Sequence, residues 1–141
     1  MSQENVEVVR QVIEAFSRRD AAAMRKLWHP EGEFISLVVA LEGSDAVYRA
    51  SSIEDYMRNL DHVFEEWQVH DVRFTEASAD RIVQFHRVTG RGKGSGVPVE
   101  RWLGIVWTLR DGLIVSGRVF PTPEDALAAA GLSEQDAHAD S

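Results

Sequence analysis

The sequence predicts an α+β fold in which a strongly bent antiparallel sheet wraps around three N-terminal helices and leaves a cone-shaped cavity. Two observations carry this. Apolar residues recur at helical spacing through Trp67, and from Gln68 onward the period changes to two. Runs of helices followed by runs of strands indicate α+β architecture, and a chain of 141 residues is long enough for one sizeable core.

Val6, Val9, Ile13 and Phe16 lie at spacings of three and four, giving the stripe of a first amphipathic helix, with Glu4 in its first turn. Asp20 is the N-cap of a second helix, which runs through Met24, Leu27 and Trp28 until His29-Pro30 stops it, because a residue before proline avoids the helical region. Glu33 to Leu41 reads as a strand broken by Gly43, Ser44 and Asp45. After Ser52 a third helix carries the stripe Ile53, Tyr56, Met57, Leu60, Val63, Phe64 and Trp67. Four strands follow: Val69–Glu76, Arg81–Gly90, Val97–Arg110 and Leu113–Phe120. Ala79-Asp80 and Asp111-Gly112 are the tight turns among them, the latter a strong hairpin signal. Thr122 caps a last helix that has Pro123 in its first turn and ends at Gly131. The expected organisation is one domain over residues 1–132 and a polar, disordered tail over 133–141.

Bulk properties exclude several classes. The net charge of −8 repels a phosphate backbone, so no nucleic-acid partner is expected. No apolar run approaches a membrane span and the N-terminus lacks a secretory pattern, so the expectation is a cytoplasmic protein without a membrane partner. The chain has no cysteine and no histidines at metal spacing, which leaves no thiol nucleophile and implies no metal or cofactor.

This order of elements, with the stretches FSRRDAAAMRKLWHPEGEF, GSGVPVE, VWTLRDGLIV and EDALAAAGL, resembles the SnoaL-like polyketide cyclases of the nuclear transport factor 2-like superfamily. The resemblance covers residues 5 to 132. It implies a cone-shaped, cystatin-like α+β barrel, usually paired as a homodimer through the outer face of the sheet, where Val83, Phe85 and Val106 would supply apolar contacts. Relatives include isomerases, cyclases, dehydratases, epoxide hydrolases and many non-catalytic members, so the fold does not give the function. In the cyclases an acidic residue just after the last strand commonly serves as base. The closest match here is Thr122 in RVFPT. Threonine cannot remove a proton from carbon without a base of its own, and its capping position explains it as structure.

Alternation on the strand from Arg81 places Ile82, Gln84, His86 and Val88 on one face, assigned to the concavity. His86 is the candidate acid–base or polarising group and Gln84 a group to orient a ligand carbonyl, against the competing reading of a hydrogen-bonded core pair. On the last strand Ile114, Ser116, Arg118 and Phe120 share a face; if it turns inward, Arg118 is a buried cation in need of an anion. Tyr56 is the phenol best placed to donate into the pocket, and Trp28, Phe34, Trp107 and Phe120 are expected in its walls. Of Glu100 and Arg101 one points inward; which one stays open. The leading expectation is a pocket for a small hydrophobic molecule bearing a carbonyl or hydroxyl, with cofactor-independent proton transfer of the isomerase, cyclase or dehydratase type as the candidate reaction. The alternative is a non-catalytic ligand-binding or dimerisation domain.

Overall fold

The computed structural model describes residues 2–36 and 47–132. Helix α1 (Ser2–Ser17) buries Val9, Val12 and Ala15, and a tight corner leads to α2 (Ala21–Lys26), where Asp20 caps by accepting from the Ala23 N–H at 3.0 Å. Arg19 takes the left-handed backbone at this corner, with φ 55°. Its guanidinium forks onto Asp61 of α3 (Ile53–Val63) at 2.9 and 3.1 Å, tying the helical hairpin to the third helix.

Six strands form one sheet: β1 (Trp28–Ser36), β2 (Val47–Arg49), β3 (Phe64–Ser78), β4 (Arg81–Gly92), β5 (Pro98–Arg110) and β6 (Leu113–Phe120), in the order β2-β1-β6-β5-β4-β3. All pairs are antiparallel except β1 with β6, which is parallel. Asp111 and Gly112 both have positive φ, 55° and 78°, as a type I′ turn between β5 and β6 requires. The three helices pack on the concave face, where Ile53, Leu60, Ile82 and Ile114 are all at most 1% exposed.

Helix α4 (Pro123–Ala129), capped by Thr122, crosses the convex face instead. A Cβ on Gly104 of β5 would sit 2.5 Å from the Ala126 Cβ, so this glycine is what lets α4 lie directly on the sheet. Val83 and Val106 are buried beneath α4, in a second cluster with Phe120, Ala126 and Ala130. Two of the three apolar residues expected to support a dimer are therefore covered by the chain's own helix.

Several boundaries differ from the periodic reading. Trp28 opens β1 rather than closing α2, because its backbone pairs with Ile114 of β6; an irregularity between Trp28 and Glu33 absorbs the proline segment. The helical stripe expected to reach Trp67 ends at Val63, and Phe64 pairs with Gly92 at the start of a 15-residue strand. Tertiary ladder bonds override a local period there. The expected strand end at Leu41, the break at Gly43–Asp45 and the tail 133–141 lie outside the described residues. Among the described residues no helix is long and apolar enough to cross a membrane.

Candidate functional site

Between the three helices and the concave face lies a cavity of about 60 Å³. Val12, Phe16, Met24, Phe34, Leu60, Ile105 and Val119 make most of its wall apolar, and its polar side chains are Tyr56, Gln84 and His86. The alternation of β4 puts Gln84 and His86 side by side on the inner face, 1% and 4% exposed.

A buried hydrogen-bonded chain joins Gln84 and His86 to Trp107, which also lines the cavity. The Trp107 Nε1–H donates to Gln84 Oε1 at 2.8 Å, and Gln84 Nε2 lies 2.9 Å from His86 Nδ1. An indole N–H can only donate, so the amide must turn its oxygen to Trp107 and its NH₂ to His86. Nδ1 is then an acceptor. The neutral imidazole keeps its one proton on Nε2, the nitrogen not bonded to Gln84, on a ring that lines the cavity. Burial pushes the His86 pKa down to about 4, because an apolar wall disfavours the charged ring. Burial likewise pushes Tyr56 up to about 12, against the smaller opposing effect of its hydrogen bond with Ser36. At neutral pH both groups are uncharged, and His86 is a donor without the basicity expected of an acid–base residue.

The Trp107 indole needs space to lie across β6, and Gly117 supplies it. A Cβ at Gly117 would fall 2.5 and 2.7 Å from the Trp107 ring and 3.0 Å from Phe34. Sequence reasoning passed over this residue, although a lone glycine inside a strand pattern signals close approach of another group.

Tyr56, Phe34 and Trp107 line the cavity with Gln84 and His86. Trp28 stands behind that wall, edge-on to Phe34 at 6.1 Å and to Trp107 at 5.9 Å. Arg118 and Phe120, expected to share the inward face of the last strand, do not face the cavity. The β5–β6 register runs from Thr108↔Ser116 to Leu109↔Ile114, so a bulge drops Val115 out of the alternation. Parity flips there, Gly117 and Val119 turn inward, and Arg118 and Phe120 turn to the convex face. Arg118 is exposed, with its guanidinium 5.1 Å from the Phe120 ring. Neither Glu100 nor Arg101 lines the cavity: Glu100 pairs with Arg87, and Arg101 reaches the Pro121 carbonyl at 3.5 Å. Tyr48 is buried in β2, where its hydroxyl accepts from Asn59 at 2.9 Å. Thr122 accepts from the Asp125 N–H at 3.1 Å as the cap of α4.

The sequence profile of the SnoaL-like domain matches residues 9–117. The chain belongs to the SnoaL-like domain family. No curated protein matches it. Solved structures agree on the fold. One is a nuclear transport factor 2-like protein from Burkholderia xenovorans, 20% identical, with TM-score 0.74 over 92% of this chain and 97% of that one. TerC, co-crystallised with polyporic acid, is 21% identical, with TM-score 0.73 over 93% of this chain and 98% of its own. A protein of ketosteroid isomerase-like fold from Catenulispora acidiphila, in complex with trimethylamine, is 18% identical, with TM-score 0.69 over 92% and 95%. At these identities the likeness is one of fold. The chemistry of this SnoaL-like domain has to be read from its own cavity.

Proposed function

We propose that this SnoaL-like domain binds a small, hydrophobic, uncharged molecule through a carbonyl or hydroxyl oxygen, which accepts a hydrogen bond from His86 Nε2–H. The observation that carries the reading is the buried Trp107–Gln84–His86 chain, which ends on an otherwise apolar cavity. Polar groups are costly inside an apolar wall unless paired, so a donor left facing the cavity favours an acceptor there. A protein of similar fold, TerC, was co-crystallised with a small organic molecule, polyporic acid, which is in keeping with a small-molecule site.

A donor at this point would also polarise a bound carbonyl. Removing a proton from carbon needs a base as well. Among the described residues the cavity wall offers no carboxylate, and both its titratable groups are neutral. The role supported best is therefore ligand binding with carbonyl polarisation, ahead of a complete isomerase or cyclase. Acetone, the smallest ketone, makes the least demand on the cavity volume and is the first probe. Its addition should shift the His86 side-chain NMR signals in the wild type, and His86→Ala should lose the response of the other cavity residues while keeping a cooperative thermal transition. Cavity signals that stay unmoved in the wild type, or move equally in folded His86→Ala, would remove the reading.

A further inference from the structure

We infer that Trp107 and Gln84 are positioning residues that lock His86 as the neutral tautomer protonated at Nε2, so the cavity selects hydrogen-bond acceptors and His86 works as a donor rather than a base. The selection rests on the ligand reading above; the lock does not.

The lock follows from the order of donors and acceptors. Trp107 has one N–H and nothing to accept with, which fixes the Gln84 amide, and the amide fixes His86. Placing a proton on Nδ1 would set an N–H against the Gln84 NH₂. Rotating the amide to relieve that contact would set the NH₂ against the Trp107 N–H. Either arrangement leaves two donors facing each other in a site where Gln84, His86 and Trp107 are each at most 4% exposed. Such a mismatch in a buried site is costly, and each correct bond polarises the next. No charged side chain offers an escape. Among the described residues no other element lining the cavity contributes a charged side chain: α3 adds the neutral phenol of Tyr56 and β3 the indole of Trp67. Gly117 completes the device by leaving room for the indole that starts the chain.

The consequence is a specificity of sign. A ketone, aldehyde or ester oxygen meets an N–H and is accepted. An alkylammonium group meets the same N–H and is refused, although the apolar wall would take its carbon skeleton.

Long-range ¹H–¹⁵N NMR of the imidazole in the full chain reads the tautomer directly. At pH 7 the wild type should show protonated Nε2 and unprotonated Nδ1 as a single species. Gln84→Glu gives Nδ1 a carboxylate to face, so the proton should move to Nδ1 and the proton affinity of the ring should rise roughly tenfold or more. Trp107→Phe frees the amide to rotate and should give a mixture of tautomers. A wild type protonated at Nδ1, or one already mixed, overturns the lock without any variant. So does a folded Gln84→Glu or Trp107→Phe protein whose tautomer stays that of the wild type. Acetone and isopropylammonium separate the two halves of the inference. With the tautomer locked, acetone should shift Nε2–H and isopropylammonium should leave it unchanged. A locked tautomer with no response to acetone refutes the ligand reading alone, and equal responses to both probes refute the selection.

Discussion

Acidification tests the buried histidine through stability. The His86 pKa is about 4 in the folded chain and about 6.5 for an unperturbed histidine. Between those values the unfolded chain binds a proton that the folded one does not, so stability rises with pH across the window. The contribution is fully present above about pH 6.5 and is lost as pH falls toward 4. At pH 4.5 the expected loss relative to pH 7 is roughly 2–3 kcal/mol from this group alone. His86→Leu removes the titration. It also strands the Gln84 NH₂, which lowers stability at pH 7 by about 1–3 kcal/mol, so the comparison must be a difference of differences. Urea unfolding followed by tryptophan fluorescence at several pH values from 7 to 4.5 supplies it. The wild type should lose roughly 2–3 kcal/mol more than His86→Leu over that range. Parallel pH dependence in the two proteins would refute the claim that His86 is held neutral by the fold.

Other consequences follow from the same packing. Gly117→Ala drives a methyl to within 2.5 Å of the Trp107 ring; denaturant unfolding should show a loss of about 1–3 kcal/mol, and stability within ~0.5 kcal/mol of wild type would contradict the close approach. Thr122→Ala removes the cap of α4 and should cost about 1 kcal/mol with the acetone response unchanged; a lost response would give Thr122 the role at the site that its position denies. We further propose that the outer sheet face pairs two copies of the chain. With Val83 and Val106 covered by α4, the contact would rest on Phe85 and on Trp102, which is 41% exposed. Sedimentation velocity should then show a dimer that Trp102→Glu converts to monomer, and a concentration-independent wild-type monomer would end the proposal.

Much of the fold was legible because its signals are local. The change from helical spacing to alternation marks the passage from α3 to the long strands, Asp20 and Thr122 cap where their side chains predict, and Asp111-Gly112 forms its hairpin. Alternation alone placed Gln84 and His86 together on the concave face. What stayed hidden depends on distant partners. The bulge opposite Thr108 and Leu109 is set by how β6 pairs with β5, and it turns Arg118 and Phe120 away from the cavity. The pairing of Trp28 with Ile114 joins segments far apart in sequence, so a helical period ran past its true end. The Trp107–Gln84 bond likewise links two strands, and only that bond reveals which histidine nitrogen carries the proton. Thr122 in place of an acidic residue after the last strand is legible in the sequence, and the cavity wall among the described residues supplies no carboxylate in its stead.

A crystal structure of the wild-type chain soaked in acetone tests the central claim most directly. The account predicts the ketone inside the cavity between Phe34, Tyr56 and Ile105, with its oxygen about 3 Å from His86 Nε2 and the Trp107–Gln84–His86 chain intact. A cavity that stays without acetone at saturating concentration, or holds it with the oxygen turned from His86, would contradict it.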